Sequence, residues 1–497
     1  MSDTISSRHE SDLGGRFLPF GNADQVEVTV VVAPDIAHRA AVQHAAWMLV
    51  NLLSRQQGVV SRIGFICPSD VVLAGRVISL AGHSADLRTA IITGNAAIGV
   101  VPIVPDQALG RRLVVGCSNQ SQSGHLYLAA NGWCGGISTS PVEMNGSESV
   151  LPFGPYIAAC LAAGEVFKAA RLNPESYQCP ESIFYSAWTR SPSKSFIAAG
   201  PTELEHELAI ALAGVGAVGC AFLHVLNACP GVSGKVVLAD NDDKGLEKSN
   251  LNRYILFGID SVGRMKATEA ARLLTDSPIS FDPYDQALEA LTPVPMSIVS
   301  AVDTNPSRIA IQNKYPAQII SASTHDLRAE VLRCGPPGIG VCLRCYNPPA
   351  VAKSDAQVAA EIQAMTDDEL AAYAKAAAVT VAQVRQWAAS QKCGMAGEAV
   401  LRHFRESEPQ PHGFSVGFVS VMAGTLLAAE LVMGSSSSND SIRTGNRSVF
   451  QFWSPFATTN RSTDYIRDPQ CPMCRPDSPA VRIWNDRFYK MQSASTA

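Results

Sequence analysis

Three glycines at fixed spacing offer a site for phosphate. Gly214, Gly216 and Gly219 form a G-x-G-x-x-G motif that follows the apolar run ELAIALA and opens a predicted helix. Glycines permit a tight turn and close approach of the backbone to an anion, and a helix N-terminus attracts negative charge. Asp240 ends the next predicted strand, where a carboxylate can meet a ribose hydroxyl. These residues fit an NAD-dependent dehydrogenase equally well, and a glycine turn that binds nothing is the simplest alternative.

Further polar and charged residues indicate that the ligand is a triphosphate rather than a dinucleotide. Asp242, Asn250, Arg253 and Lys266 follow in order, the middle two within the motif SNLNR, and Asp303 ends a later strand. Attack on an α-phosphorus requires cations that offset charge spreading toward pyrophosphate, and a carboxylate that holds magnesium. This set therefore favours ATP and Mg²⁺ over NAD. A solvated helix face is the alternative interpretation of Arg253 and Lys266.

Four cysteines in two C-x-x-C pairs indicate a metal site. Cys342 and Cys345 form the first pair, and Cys471 and Cys474 form the second. Zinc needs four tetrahedral ligands, and each pair can supply two from one turn. The sequence predicts a structural Zn²⁺ site that ties the second pair to the first. Unpaired buried thiols and a redox pair are the alternatives.

A lone cysteine is the candidate nucleophile. Cys393 lies in QKCGMAGE after an alanine-rich helical stretch, and Lys392 beside it could lower its pKa. A structural cysteine near a helix end is the alternative. Cys334 and Cys220 are weaker candidates for the same role.

The elements that position these residues follow an α/β pattern in two halves. Strands such as VEVTVVV and KVVLAD alternate with helical runs, which is typical of parallel sheets with crossover helices. The predicted segments are a flexible tail at 1–25, an α/β domain at 26–172, a linker at 173–200, an ATP-binding part at 201–345, a helical insertion at 346–395 and the remainder at 396–497.

Composition excludes several classes of protein. The net charge of -5 provides no general attraction to nucleic acid or to an anionic membrane. Apolar stretches such as 414–433 are interrupted by glycine or polar residues, so we expect no membrane span. Residues 1–15 carry both charges and no apolar core, so we expect no signal peptide and a cytoplasmic location.

The order of the motifs resembles a known family. GVGAVG, VVLADND, SNLNR, VGRMK and SAVDTN occur in the order found in the ubiquitin-activating and sulfur-carrier adenylyltransferase superfamily, which is called ThiF-like or MoeB-like. The resemblance implies that Asp240 and Asp242 contact the ribose and nearby ATP groups. It further implies that Asn250, Arg253 and Lys266 hold phosphates, and that Asp303 binds magnesium.

The same resemblance implies two adenylation units of one fold. Residues 26–172 contain no G-x-G-x-x-G and no SNLNR, so the first unit is expected to be inactive and the second active. The arrangement most resembles the activating enzymes of bacterial (Bil-type) operons for ubiquitin-like antiphage conjugation. It implies a ubiquitin-like protein with a C-terminal glycine as substrate, a separate conjugating enzyme as partner, and Cys393 as thioester acceptor. A homodimer is also compatible with the family.

Three alternatives stay open at this point. A sulfur-carrier adenylyltransferase of the molybdopterin or thiamin type would form the acyl-adenylate without a thioester of its own. An NAD-dependent oxidoreductase is disfavoured by Arg253, Lys266 and the cysteine pairs, and a non-catalytic scaffold is disfavoured by the presence of Asp303 with both cations.

Overall fold

Two sheets dominate the structure, which is a computed structural model. It describes residues 17–18, 25–74, 80, 84, 86–116, 125–144, 147–172, 177–335, 338, 340–347, 355–376, 379–390, 415–434, 445–456 and 460–495. Within these residues each sheet has eight strands and is flanked by helices. The predicted pair of Rossmann-like α/β units is therefore confirmed.

The first sheet has the strand order β3-β2-β1-β4-β5-β6-β7-β8, with parallel pairing from β3 to β5 and antiparallel pairing beyond β5. Its strands are β1 Val26–Val32, β2 Val60–Ile66, β3 Ile103–Pro105, β4 Arg111–Val115, β5 Leu126–Asn131, β6 Cys134–Ser138, β7 Ser182–Ser186 and β8 Ser191–Ser193. Its helices are α1 Ala40–Ser54, α2 Leu87–Ile98 and α3 Phe153–Arg171. β1 is largely buried, as expected for a β-branched strand covered on both faces.

The second sheet repeats this order as β11-β10-β9-β12-β13-β14-β15-β16. Its strands are β9 His206–Ala213, β10 Val232–Ala239, β11 Ile279–Tyr284, β12 Ser297–Ser300, β13 Gln318–His325, β14 Arg328–Cys334, β15 Arg447–Gln451 and β16 Ser462–Thr463. The helices of this part are α4 Ala217–Ala228, α5 Lys266–Leu273, α6 Asn305–Gln312 and α7 Leu343–Tyr346, and, after the insertion, α11 Gly417–Gly434 and α12 Pro479–Ser495. The identical order shows that both halves share one topology.

The expected linker at 173–200 is not a simple linker. Its middle part forms β7 and β8, of which β7 pairs with β6 and β8 pairs with β7 at the edge of the first sheet. The apolar run Ile183–Tyr185 is buried there and continues the sheet. The surrounding proline and serine residues obscured this strand in the sequence.

One continuous apolar core joins the two α/β units. Helix α3 of the first unit packs against α11 of the second, and these helices also pack against α1 and α4 respectively. A Cβ atom added at Gly424 of α11 would lie 2.5 Å from Cβ of Ala221 in α4, so the glycine allows this close approach. By length and hydropathy α11 could cross a membrane, but 94% of it is buried inside the protein, as in a core helix.

The helical insertion forms a compact unit of its own between residues 348 and 413. It contains α8 Asp355–Ala364, α9 Asp367–Ala376 and α10 Val381–Ser390. Thr366 and Glu369 exchange hydrogen bonds in a capping box that starts α9. The small core of this unit includes Val358, Leu370 and Trp387. Cys393 lies outside the described residues.

Candidate functional site

The candidate nucleotide residues follow three neighbouring strand ends. In the register of the second sheet, Ala213 of β9 pairs with Ala239 of β10 and with Ser300 of β12. The chain therefore leaves these strands side by side at the carboxyl edge, where ligands of open α/β sheets bind. The candidate residues just beyond the strand ends are Gly214, Asp240 and Asp303.

The glycine loop has the geometry that phosphate binding requires. Gly214 has a φ of +90°, a conformation that favours glycine. A Cβ atom at Gly219 would lie only 2.1 Å from the carbonyl oxygen of Gly214, so this position also excludes larger residues. Gly216 is the N-cap residue of α4, and among the described residues no side chain caps this helix terminus. Its amides can therefore face an anion, which fits the phosphates of ATP.

Asp240 connects the glycine loop to the turn after β10. Its carboxylate accepts hydrogen bonds from the backbone N–H of Val215 at 2.7 Å and of Asp242 at 3.1 Å. The side chain is half-buried beside the loop. Asp240 thus holds the loop in shape.

Lys266 and Asp242 form an ion pair at the start of α5. Burial alone would lower the pKa of Lys266, but Tyr254 and the two aspartates Asp242 and Asp240 raise it overall. Burial acts to raise the pKa of Asp242, and the hydrogen bond and charge of Lys266 outweigh it and lower this pKa. Both groups are therefore charged at neutral pH, and the lysine is held beside the glycine loop region.

The ring of Tyr254 contacts two cations that the sequence predicted separately as phosphate-binding residues. The Arg253 guanidinium carbon lies 5.0 Å from the centroid of the Tyr254 ring, and Nζ of Lys266 lies 5.6 Å from it. Arg253 also donates to the carbonyl of Ser249 at 3.0 Å. The role of Tyr254 was missed in the sequence, although it directly follows SNLNR. The ring brings Arg253 and Lys266 to one place.

Asn250 has a structural role in the same segment. Residues Lys248–Asn252 form a 3-10 helix, and Asn250 and Glu247 form a reciprocal capping box at its start. Oδ1 of Asn250 accepts from the backbone N–H of Glu247 at 3.0 Å. The amide oxygen of Asn250 is thus committed to shaping the turn.

Asp303 is exposed at the carboxyl edge, just before α6. Arg308 of α6 reaches back toward the strand end and donates to the carbonyl of Val302 at 3.1 Å. Burial lowers the pKa of this guanidinium, and the negative charge of Asp303 partly opposes that shift. An accessible carboxylate beside a phosphate loop fits a magnesium ligand. Arg308 was not anticipated, because only its contact with the strand end reveals it.

The four cysteines of the two C-x-x-C pairs form one cluster. Their Sγ atoms all lie within 4.8 Å of one another, with Cys342 and Cys471 3.7 Å apart and Cys345 and Cys474 3.2 Å apart. A tetrahedral zinc–thiolate site has sulfur atoms about 3.8 Å apart, since each Zn–S bond is about 2.3 Å long. These separations are too long for disulfides. The cluster fits a zinc ion.

The alternative cysteine nucleophiles are inaccessible. Cys334 and Cys220 are both buried, and burial raises the pKa of each thiol well above that of an ordinary cysteine. Cys220 also donates to the carbonyl of Val215 in the glycine loop. Neither thiol is suited to accept an acyl group.

The first unit has a different structure at the position of the glycine loop. Residues 33–39 follow β1 and contain no glycine. Ile36 from this segment is buried, and a Cβ atom added at Gly116, just after β4, would lie 2.5 Å from its Cδ1 atom. Cys67 follows β2 where Asp240 follows β10, and burial raises its pKa to about 12. An apolar side chain thus occupies the space beside these strand ends.

Comparisons with known proteins divide the chain into the same two parts. Residues 193–473 match the ThiF family, and residues 27–186 match the BilD N-terminal domain. A curated relative, the uncharacterized protein y4jF of Sinorhizobium fredii (strain NBRC 101917 / NGR234), is 27% identical over 246 residues, which are 48% of this chain and 46% of the relative. The chain therefore spans about half the length of that relative.

Two solved structures show weaker likeness. E. coli MccB with AMPCPP and SeMeT MccA has a TM-score of 0.30 and 18% identity, and the match covers 45% of this chain and 55% of that one. E. coli MccB with MccA-N7isoASN has a TM-score of 0.34 and 20% identity, and the match covers 53% and 66% of the two chains. Since the ThiF match spans more than half of the chain and a BilD N-terminal domain precedes it, the protein belongs to the ThiF family and combines these two domains.

Proposed function

We propose that the protein uses ATP to adenylate the C-terminal glycine carboxylate of a ubiquitin-like protein. The observation that carries this proposal is the convergence of the uncapped N-terminus of α4, the Lys266–Asp242 pair and the exposed Asp303 along one sheet edge. Membership of the ThiF family supports adenylyl transfer. The match to the BilD N-terminal domain supports the resemblance to the activating enzymes of ubiquitin-like conjugation operons.

Each residue then has a defined task. The amides of the glycine loop and α4 would hold phosphate oxygens, and Asp240 would keep the loop in shape while it contacts the ribose. Arg253 and Lys266 would offset charge on the leaving pyrophosphate. Asp303 would hold Mg²⁺, which supplies further neutralisation of the phosphates.

The proposed reaction exchanges one bond to phosphorus. A carboxylate oxygen of the substrate attacks the α-phosphorus of ATP, the new P–O bond forms, and the bond to the β-phosphate breaks. Pyrophosphate leaves with the electron pair of that bond. No proton transfer is needed, because the glycine carboxylate is already ionised at neutral pH.

We further propose that Cys393 accepts the activated acyl group. Its thiolate would attack the acyl carbon and release AMP, which gives a thioester for a separate conjugating enzyme. The burial of Cys334 and Cys220 supports Cys393 by disfavouring its two alternatives. A sulfur-carrier adenylyltransferase would stop at the adenylate.

The remaining sequence-based expectations belong to the same proposal. The first unit would bind no nucleotide, since Ile36 occupies its equivalent site. Zn²⁺ at the four cysteines would be structural, and the protein would act in the cytoplasm.

ATP–pyrophosphate exchange tests the proposal directly. With Mg²⁺ and a glycine-terminated ubiquitin-like protein encoded beside it, the full chain should incorporate labelled pyrophosphate into ATP. Removal of the terminal glycine from that protein should abolish exchange. Exchange that is independent of the carboxylate substrate would contradict the proposed reaction.

A further inference from the structure

A buried arginine of the first unit reaches into the nucleotide-binding segment of the second. Arg55 follows α1 and is fully buried. Its Nη1 donates to the carbonyl of Leu251 at 2.8 Å, and its Nη2 donates to the carbonyls of Ile255 at 3.1 Å and Phe257 at 2.8 Å. These three carbonyls lie within and beyond the SNLNR motif, so one guanidinium fixes both ends of the turn that carries Arg253 and Tyr254.

A side chain of α1 completes this contact. Oδ1 of Asn51 accepts from Nε of Arg55 at 2.6 Å, and Nδ2 of Asn51 donates to the carbonyl of Ile255 at 3.1 Å. Arg55 is thereby held in one orientation by its own helix. A planar guanidinium with its donors fixed in this way can order several carbonyls that a lysine cannot reach together.

In the part of the chain that the structure describes, no carboxylate pairs with Arg55. Within the described residues every acceptor of its guanidinium is an uncharged oxygen, three of them main-chain carbonyls. Burial lowers the pKa of Arg55 to about 9, so the group is still protonated at neutral pH. Buried charges are costly without a charged partner. If the contact served packing alone, an apolar residue in place of Arg55 could fill the same space without the cost of burying a charge.

The segment that Arg55 orders lies beside the glycine loop. Arg253 and Lys266 lie over the ring of Tyr254, and the hydroxyl of that ring is 3.5 Å from the position of a Cβ atom at Gly216, the N-cap of α4. Arg55 thus orders the segment that carries Tyr254 and Arg253 beside the start of the helix to which phosphate would bind. Negative charge arriving there would meet a positive potential to which the first unit contributes.

We propose that Arg55 is a positioning residue for the nucleotide site, through which the first unit orders the segment from Leu251 to Phe257 of the second. This inference rests on the proposed function, because ATP is the ligand whose binding the ordered segment would favour. Arg55 itself does not touch substrate in this proposal. The inactive unit would thus be required for ATP affinity as well as for stability.

The test compares Arg55→Gln with a matched control. Lys168→Met removes another buried cation of the first unit, whose Nζ donates to the carbonyl of Phe452 in the second unit at 3.0 Å, away from the nucleotide segment. Both full-length variants should melt at lower temperature than the wild type. Arg55→Gln should raise the Kd of ATP–Mg²⁺ by about tenfold or more, since small misplacements of binding groups are costly. Lys168→Met should leave that Kd unchanged, and Arg55→Lys should give an intermediate value.

Amide hydrogen exchange of residues 250–257 provides a second measurement that needs no nucleotide. Arg55→Gln should accelerate exchange in this segment of the free protein, whereas Lys168→Met should not. If Arg55→Gln fails to fold, Asn51→Ala replaces it and should produce smaller changes of the same sign. An unchanged Kd and unchanged exchange in either variant would overturn the inference. If Arg55→Gln accelerates hydrogen exchange in this segment but the wild type binds no ATP, the proposed function would be refuted instead.

Discussion

The hydroxyl of Tyr156 and Nδ1 of His224 lie 2.8 Å apart in the contact between the two α/β units. Trp47 donates its indole N–H to Nε2 of the same imidazole at 3.4 Å. Tyr156 and Trp47 belong to the first unit and His224 to the second, so one imidazole joins three helices. Since Trp47 occupies Nε2 as a donor, the neutral imidazole carries its proton on Nδ1 and donates to Tyr156.

This contact predicts loss of stability in acid. Burial lowers the pKa of His224 to about 3 and that of nearby His44 to about 4, whereas an unfolded histidine titrates near 6.5. As the pH falls below 6.5, the unfolded chain gains protons that the folded chain cannot bind. The free energy of unfolding should therefore decrease from pH 6.5 down to about 4, by about 1.4 kcal/mol per pH unit for each histidine.

Urea denaturation of the wild type and of His224→Gln between pH 7.5 and 4.5 measures this effect. The variant should be less stable at pH 7.5, but its stability should fall less steeply in acid, because one titrating imidazole is gone. Equal slopes for the two proteins would show that His224 does not contribute.

Asp303→Asn should reduce ATP–pyrophosphate exchange by about a hundredfold or more, because it removes a charged ligand of magnesium from the carboxyl edge. Thermal stability should change little, since the side chain is exposed. Asp106→Asn in the first unit is the matched control, and it removes an exposed carboxylate paired with Arg88. Comparable loss of exchange in both variants would refute the assignment of Asp303.

Cys471→Ser should lower the zinc content from about one ion per chain and reduce the melting temperature by about 5 °C or more. The physical reason is that the cluster ties residues 471–474 to the turn that carries Cys342 and Cys345. Metal analysis and thermal denaturation of protein purified without chelators measure both quantities. Cys179→Ser, outside the cluster, should alter neither. Wild-type protein without metal would contradict the zinc assignment.

Cys393→Ala should leave pyrophosphate exchange largely intact but abolish a thiol-sensitive adduct with the ubiquitin-like protein. Adenylation depends on the glycine loop, the cations and Asp303, whereas thioester formation needs a thiolate. Gel electrophoresis with and without reductant detects the adduct. Cys393→Ser should give a more stable oxyester. If the wild type forms no adduct, the sulfur-carrier alternative is the better description.

The candidate site could be located from the sequence because its residues follow strand ends. Gly214, Asp240 and Asp303 are each identified by an apolar run before them, and the register of parallel strands brings such positions together. The four cysteines could be grouped because zinc chemistry restricts their spacing. Local pattern thus grouped residues that the structure brings to one sheet edge, and ligand chemistry grouped four thiols that the structure brings together.

Contacts between distant segments could not be predicted in this way. Arg55 and Phe257 are far apart in the sequence, and nothing beside Arg55 indicates that it is buried. Strand β7 was missed because its short apolar run Ile183–Tyr185 lies among turn-forming residues. Such features depend on what packs against a segment, which periodicity does not reveal.

The repeated strand order has a consequence for how such a protein can evolve. In a symmetric dimer both copies carry the same sequence, so each must keep a working glycine loop and also the residues that support its neighbour. Here the two halves meet through α3 and α11 within one chain. One half could therefore lose its glycine loop, in whose place Ile36 is buried, while it kept the residues that support the other half. Covalent linkage also fixes the ratio of the two halves at one to one.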